Sequence, residues 1–241
     1  MKIHVGISAT FLCFALAGCT VIQTKTLATD RSEVLYGKTL VVDEYPTPTF
    51  TASTPGKAIF AMIGAALMIA EGNQFVKESE IHDPAAYIGN QLARRLATQH
   101  TITLRPNDAG PLNGNSIDEI AARYPQSDLV LDSQTTYWSY VYFPAHWDSY
   151  RLMYAVRTRL IDVRSRSVLA EAFCKHIPEY SDDAPSHERL TANAGEWVKQ
   201  RLMIYADACV DELANAMFGA ATVAEQTASD HATAEPIPAL R

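Results

Sequence analysis

Two stretches near the middle of the chain, DLVLDSQTTYWSYVY at 128–142 and YRLMYAVRTRLIDV at 150–163, alternate in side-chain character over most of their length. A period of two is typical of a β-strand. A tight turn at 164–166 leads to SVLAEAFCKHI at 167–177, which predicts a third strand. Strands joined by short connections pair antiparallel, so the region 128–177 is predicted to form a long three-stranded meander.

The segment after the meander predicts a long helix that covers the sheet. From Pro185 to about Phe218, apolar side chains recur at steps of three or four residues. This stripe consists of Leu190, Ala194, Val198, Leu202, Tyr205, Cys209, Leu213 and Met217. Gly219 follows the stripe and suits a C-terminal cap, where a positive φ is often needed.

Shorter elements are predicted upstream of the meander. They are a strand at 38–45, a loop at 46–56, a helix at 84–98, a strand at 101–104 and a helix that opens with the capping-box pair Ser116 and Glu119. With an apolar helix at 58–70, the order is β-α-α-β-α-β-β-β-α. This order predicts one α+β domain over 38–218, a two-layer fold in which helices pack on an antiparallel-rich sheet.

The most apolar part of this domain is AIFAMIGAALMIA at 58–70, between Lys57 and Glu71. It is shorter than the ~20 residues that a helix needs to cross a bilayer. Either it is a buried core helix, or it contacts a membrane or a partner, because a helix that is apolar all round must be covered.

The N-terminus predicts an export signal. A basic start precedes the apolar run VGISATFLCFAL at 5–16, which ends in LAGC at 16–19. LAGC resembles the lipobox of bacterial lipoproteins. The resemblance implies a signal peptide at 1–18, a lipidated Cys19 and an anchor in the outer membrane on its periplasmic face. Residues 19–37 are predicted to be a tether, and 219–241 a disordered tail.

Two cysteines, Cys174 and Cys209, remain beyond the signal region. In an oxidising compartment such as the periplasm, an even number of cysteines indicates a disulfide. Cys209 lies on the apolar stripe of the last helix, and Cys174 shares a strand face with small apolar residues. The pair is therefore predicted to bond between helix and sheet.

Several stretches together resemble small periplasmic lipoprotein domains. They are LAGC at 16–19, GNQFVKE at 72–78, DPAAYIGNQLARRLA at 83–97 and RTRLIDVRSRSVLAEAFC at 157–174. Similar hairpins occur in the N-terminal domain of TolB, the curli-secretion lipoprotein and the lipoprotein activators of penicillin-binding proteins. The resemblance implies an α/β fold and a binding or assembly role in the cell envelope, and it carries no catalytic residues.

Aromatic side chains concentrate around the connection between the first two long strands. The candidate partner-binding residues are Trp138, Tyr140, Tyr142, Phe143 and Trp147. Exposed aromatics at a hairpin tip favour contacts with protein, glycan or membrane, whereas packing in a core is the alternative. The opposite face of the second strand carries three arginines, Arg151, Arg157 and Arg159. This face is predicted to be solvated, and the alternative is that the arginines bind an anionic partner.

Composition and motifs limit the functional classes. The 241-residue chain is 48% hydrophobic with a net charge of -7, which excludes wholesale disorder and argues against nucleic-acid binding. The sequence has no phosphate-binding loop, no nucleophile elbow and no paired histidines at metal-ligand spacing. We therefore expect a non-catalytic binding or assembly module without metal or cofactor, with an envelope protein partner. An oligomeric subunit that uses the helix at 58–70 and an envelope-acting enzyme are the alternatives.

Overall fold

The computed structural model describes residues 24–28, 33–58 and 61–219. Its elements are β1 (Thr39–Val42), β2 (Thr51–Ser53), α1 (Pro55–Ala58), α2 (Ala61–Glu78), α3 (Ala85–His100), β3 (Thr103–Arg105), α4 (Ile117–Arg123), β4 (Leu129–Phe143), β5 (His146–Asp162), β6 (Ser167–His176) and α5 (His187–Phe218). The α+β class is confirmed. The predicted signal peptide 1–18, Cys19 and the tail beyond Gly219 lie outside the described residues.

One six-stranded sheet forms the centre of the fold. Its order is β3-β1-β4-β5-β6, and β2 pairs with the far half of β4. The antiparallel meander of β4, β5 and β6 is confirmed, whereas β1 and β2 run parallel to β4, and β3 runs parallel to β1. The predicted loop 46–56 is partly wrong, since it contains β2 and the first residues of α1.

Helices α2, α3 and α5 cover one face of the sheet and form the main core. Leu92 and Leu96 of α3, Leu131 of β4 and Leu202 of α5 belong to this core and are almost wholly buried. A second, smaller core lies on the opposite face, where Ile120 of α4 packs among strand residues. The fold therefore has a partial third layer beyond the two that the sequence predicts.

The predicted capping box starts α4. The Ser116 hydroxyl accepts a hydrogen bond from the Glu119 backbone N–H, and the Glu119 carboxylate accepts one from the Ser116 backbone N–H. These contacts satisfy backbone groups that have no partner within the helix. The Ser116 hydroxyl also donates to the Glu119 carboxylate over 2.6 Å, and this bond, together with the one from the Ser116 backbone N–H, holds the pKa of the Glu119 carboxyl below its usual value.

Helix α5 is interrupted, whereas the sequence predicts one continuous helix. Residues 192–195 leave the helical conformation, and Asn193, Ala194 and Gly195 all have positive φ. The kink turns Ala194 out to solvent and buries Gly195 in its place. A Cβ at Gly195 would lie 2.9 Å from the Phe75 ring, so the absent side chain lets α5 approach α2 closely.

The described part of the predicted tether 19–37 belongs to the domain. Lys25 forms a β-bridge with Glu171 of β6, and Leu27 donates its backbone N–H to Met217 at the end of α5. Leu35 is fully buried in the main core. A free tether over these residues is therefore wrong, because their apolar side chains and backbone groups are bound.

Candidate functional site

The two cysteines lie between helix and sheet. Cys174 in β6 and Cys209 in α5 form a disulfide with an S–S distance of 2.02 Å and a Cα–Cα distance of 5.5 Å. Both residues are almost wholly buried. The bond ties the last strand to the last helix.

The inner part of the aromatic cluster is core. Trp138 is 1% exposed, and its indole N–H donates to the carbonyl oxygens of Pro48 and Thr49. Tyr140 is also buried and packs edge-on against Phe50 at 5.8 Å. The partner-binding prediction for Trp138 and Tyr140 is therefore wrong, because the loop before β2 and the helix α2 cover them.

The remaining candidates lie near the tip of the β4–β5 hairpin and differ in their exposure to solvent. Phe143 is buried against Tyr180, with ring centroids 5.3 Å apart, so its partner-binding prediction is also wrong. Trp147 is 66% exposed and donates its indole N–H to the Pro144 carbonyl oxygen over 2.8 Å. Tyr142 is half-buried. Only Trp147 and Tyr142 of the candidate aromatic residues offer surface to a partner.

The arginines on the other strand face do not form a solvated strip. Arg151 stacks over an aromatic ring at the hairpin tip, and Arg157 donates to the Gln134 side chain over 3.1 Å. Arg159 is 7% exposed and pairs with the fully buried Asp132. The predicted wet face is wrong at Arg159, since α4 and the segment before it cover that part of the sheet.

The first half of α2 is apolar and uncovered in the described part of the chain. We call it the apolar α2 surface, and it consists of Ala65, Ala66, Leu67, Ile69 and Ala70, all exposed. Leu67 is 47% and Ile69 is 41% exposed. Beyond Glu71 the solvent-facing positions of the helix become polar. The reading of 58–70 as a fully buried core helix is therefore wrong for this half of α2.

Two glycines explain which side of α2 packs against the rest of the domain. A Cβ at Gly64 would collide with the Lys57 carbonyl oxygen, and a Cβ at Gly72 would collide with that of Phe50. Both glycines are buried, so the helix lies with its backbone directly on α1 and β2. The apolar α2 surface is on the opposite side, where nothing in the described chain covers it.

A buried polar network occupies the smaller core. Tyr124 donates its hydroxyl to Asp43 over 2.9 Å, and Tyr45 donates to Asp132 over 2.6 Å. Asp132 also accepts from Arg159, so it is compensated by a charge, whereas Asp43 has no cation among its contacts. Burial raises the pKa of the Asp43 carboxyl to about 6. No local pattern in the sequence indicates this network, because its members are distant along the chain.

Open cavities flank the loop between β1 and β2. One of about 620 Å³ is bordered by Lys77 and His82, and a neighbouring one of about 230 Å³ reaches Asp83. Burial raises the pKa of the Asp83 carboxyl, but this carboxylate already accepts hydrogen bonds from Thr135 and from the Ala85 backbone N–H. Asp83 therefore has a structural role, since its hydrogen bonds stabilise the start of α3.

No helix in the described parts of the chain combines the length and apolar character that a membrane crossing requires. No protein-family model matches the chain, and no curated protein matches it.

Solved structures include several loosely similar bacterial proteins. The PelC dodecamer from Paraburkholderia phytofirmans is 15% identical over 81% of this chain and 95% of its own, with a TM-score of 0.36. The LpoB C-terminal domain from Salmonella enterica is 12% identical over 59% and 84%, with a TM-score of 0.26. Lipoprotein GNA1162 from Neisseria meningitidis is 15% identical over 74% and 99%, with a TM-score of 0.25. Superpositions this loose transfer no function to the present chain.

Proposed function

We propose that this protein is a lipid-anchored, non-catalytic assembly module of the bacterial cell envelope, held at the outer membrane through Cys19 on the periplasmic side. In this proposal it associates with a second copy of itself through the apolar α2 surface. The observation that carries the proposal is the exposure of Leu67 and Ile69 beside exposed alanines on an uncharged helical turn. Exposed apolar side chains grouped along one helical segment without a charged residue among them are typical of an interaction site.

The position of the surface argues against the anchoring bilayer as its occupant. Lys25 forms a β-bridge with Glu171 of β6. In the register of the sheet, Glu171 lies beside Arg159 of β5, and Arg159 lies beside Asp132 of β4. The N-terminal segment therefore meets the sheet near the first residues of β4. The apolar α2 surface lies at the other end, because β2 runs alongside β4 as far as Val141 before α1 and α2 begin.

The reach of the anchor supports this separation. Nine residue steps of β4 from Asp132 to Val141 span about 30 Å. Six residue steps from Cys19 to Lys25 extend at most about 20 Å. A lipid on Cys19 is therefore attached nearer to the Lys25 end of the sheet than to the apolar α2 surface.

The chemistry of the surface suits a second copy. The segment AMIGAALMIA at 61–70 contains no ionisable side chain, so two copies meet there without local repulsion although each chain carries a net charge of -7. The exposed alanines let a second helix approach closely, and Leu67 and Ile69 supply apolar area. Identical surfaces related by a twofold axis are the commonest arrangement in oligomers of one chain.

The test is the mass of the full-length protein in detergent, measured by light scattering after size exclusion and corrected for bound detergent. We expect the wild type to be a dimer and the double variant Leu67→Glu/Ile69→Glu to be a monomer. Lys77→Glu is the matched control, because it changes the net charge by the same two units at an exposed position of the same helix.

Lys77→Glu should keep the mass of the wild type. All three proteins should give the same far-ultraviolet circular dichroism spectrum, because the replaced side chains are exposed and contribute little to the core. A wild type that stays monomeric over the whole concentration range would sink the proposed self-association.

An envelope protein partner is the second candidate, and the exposed indole of Trp147 favours it. Trp147 lies at the hairpin tip, at the same end of the sheet as the apolar α2 surface. A photoreactive side chain at 147, activated in whole cells, tests this role. A crosslink to one defined envelope protein would support it, and crosslinks to the same chain alone would assign Trp147 to the self-association.

A further inference from the structure

A set of metal-ligating side chains surrounds the disulfide. The ligand atoms of Cys174, His176 and Cys209 all lie within 4.8 Å of one another. The His176 Nε2 atom is 3.5 Å from Cys174 Sγ and 3.7 Å from a carboxylate oxygen of Glu212. Two sulfurs and one imidazole nitrogen therefore converge between β6 and α5, and the exposed Glu212 carboxylate lies beside the imidazole.

Regular secondary structure brings these side chains together. Cys174 and His176 are two residues apart in β6, so they point to the same face of the sheet. Cys209 and Glu212 are three residues apart in α5, so they share one side of the helix. Neither pair resembles a metal motif alone, so no local sequence pattern indicates the set.

The distance between one sulfur and the imidazole matches a tetrahedral zinc site. Zinc binds thiolate sulfur at about 2.3 Å and imidazole nitrogen at about 2.0–2.1 Å. At a tetrahedral angle, such a sulfur and nitrogen are about 3.5 Å apart, which is the distance between Cys174 Sγ and His176 Nε2. Only the two sulfurs are too close, because they are bonded to each other.

We propose that the reduced protein binds one divalent metal ion of the zinc class through Cys174, Cys209 and His176, with Glu212 as the fourth ligand. A dithiol reductant supplies two electrons and two protons, which break the S–S bond and leave two thiols while the reductant becomes a disulfide. The metal ion then displaces one proton from each thiol, and the two thiolates neutralise its charge. The site thus has two exclusive states, a disulfide or a bound metal ion.

The surroundings suit both steps. Both cysteines are almost wholly buried, where a dication must be compensated by opposite charge, and two thiolates supply that compensation. The His176 ring stacks on Tyr205 at 4.7 Å and 9°, so its orientation is held before a metal arrives. The Glu212 side chain is 53% exposed and opens the cluster to solvent, which gives the ion a route of entry.

The test uses the full-length chain in detergent, with and without prior reduction by a phosphine. Each sample is mixed with zinc chloride, freed of unbound metal by gel filtration and analysed for metal content. We expect about one zinc per reduced chain and none per oxidised chain. Cobalt(II) in place of zinc should give the visible absorption of a tetrahedral site with thiolate ligands.

Variants separate this site from adventitious binding. His176→Ala should weaken zinc binding at least tenfold, whereas His82→Ala, at an exposed histidine on another part of the surface, should leave it unchanged. Cys174→Ser/Cys209→Ser removes both thiol ligands and should bind no zinc. Equal binding by any of the site variants and the wild type would overturn the proposal.

Thermal melting is the control for a loss of structure on reduction. If the reduced chain binds zinc as proposed, its melting temperature rises with zinc concentration, because the ion binds the folded state. A reduced chain whose melting temperature and circular dichroism do not respond to zinc would contradict the proposal. The oxidised chain, with its sulfurs bonded, should not respond.

Discussion

Arg159 donates from Nε to the Asp132 carboxylate over 2.5 Å, and these two residues are direct cross-strand partners in β5 and β4. Asp132 is fully buried, and the Arg159 side chain is only 8% exposed. The guanidinium also donates to the Asn115 carbonyl oxygen over 2.8 Å. The ion pair therefore connects the centre of the sheet to the segment that leads into α4.

Removal of one partner of this ion pair should be strongly destabilising. We expect Arg159→Met to lower the free energy of unfolding by about 3–5 kcal/mol, because it leaves the Asp132 carboxylate buried without a charge partner. Urea denaturation measures the change. Arg166→Met is the matched control, because Arg166 pairs with Asp118 in solvent, and it should have little effect.

The double variant Asp132→Asn/Arg159→Met distinguishes the ion pair from simple packing. It should be more stable than Arg159→Met alone, because no uncompensated buried charge remains. A double variant that is as unstable as the sum of the two single variants would show that the pairing contributes nothing.

The neighbouring Asp43 should make stability depend on pH. Burial is the main cause that raises the pKa of its carboxyl to about 6 in the folded protein, from an ordinary value of 3.8. The folded state thus binds this proton more tightly than the unfolded chain. The stabilisation is complete below about pH 4 and is lost as the pH rises through 6, with a total of up to about 3 kcal/mol.

Asp43→Asn should remove this pH dependence. The variant should equal or exceed the wild type in stability above pH 6, because it carries no buried charge, and the amide oxygen still accepts from the Tyr124 hydroxyl. Urea denaturation at several values between pH 4 and 8 measures the profile. Glu44→Gln, at the exposed neighbouring residue, should leave the wild-type profile in place.

Local patterns in the sequence predict much of this fold, and long-range contacts account for the errors. The alternation in 128–163 predicts β4 and β5, and Ser116 and Glu119 predict the start of α4, because both signals are local. The burial of Arg159 was missed, since a charged side chain in a strand indicates solvent until its cross-strand partner is known.

The candidate site shows the same division. The run 58–70 is visibly apolar in the sequence. Only the structure shows that the side of α2 with Gly64 and Gly72 packs against the domain, whereas Leu67 is exposed to solvent. The aromatic residues of β4 are visible too, but their burial depends on β2 and α2. The kink at 192–195 has no counterpart in the apolar stripe, which continues through it.

Helix α2 should depend on the missing side chain at Gly72. Gly72→Ala places a methyl group against the Phe50 carbonyl oxygen, so the helix must move away from β2. We expect a loss of about 1–3 kcal/mol, the usual range for overpacking. Gly56→Ala is the control, because no atom lies within 4 Å of a Cβ there. Equal melting temperatures for the two variants would contradict the close approach of α2 to β2.

The Cys174–Cys209 disulfide should stabilise the protein chiefly by restricting the unfolded chain. It joins residues 35 apart in sequence, and in the chain-entropy model such a loop contributes roughly 3–4 kcal/mol. Cys174→Ala/Cys209→Ala should lose this amount, and its dependence on urea should steepen because its unfolded state is more expanded. Addition of a phosphine in the absence of metal should lower the stability of the wild type towards that of the variant and leave the variant unchanged. A wild type that keeps its full stability when reduced would show that the contacts between β6 and α5, rather than the covalent bond, hold these elements together.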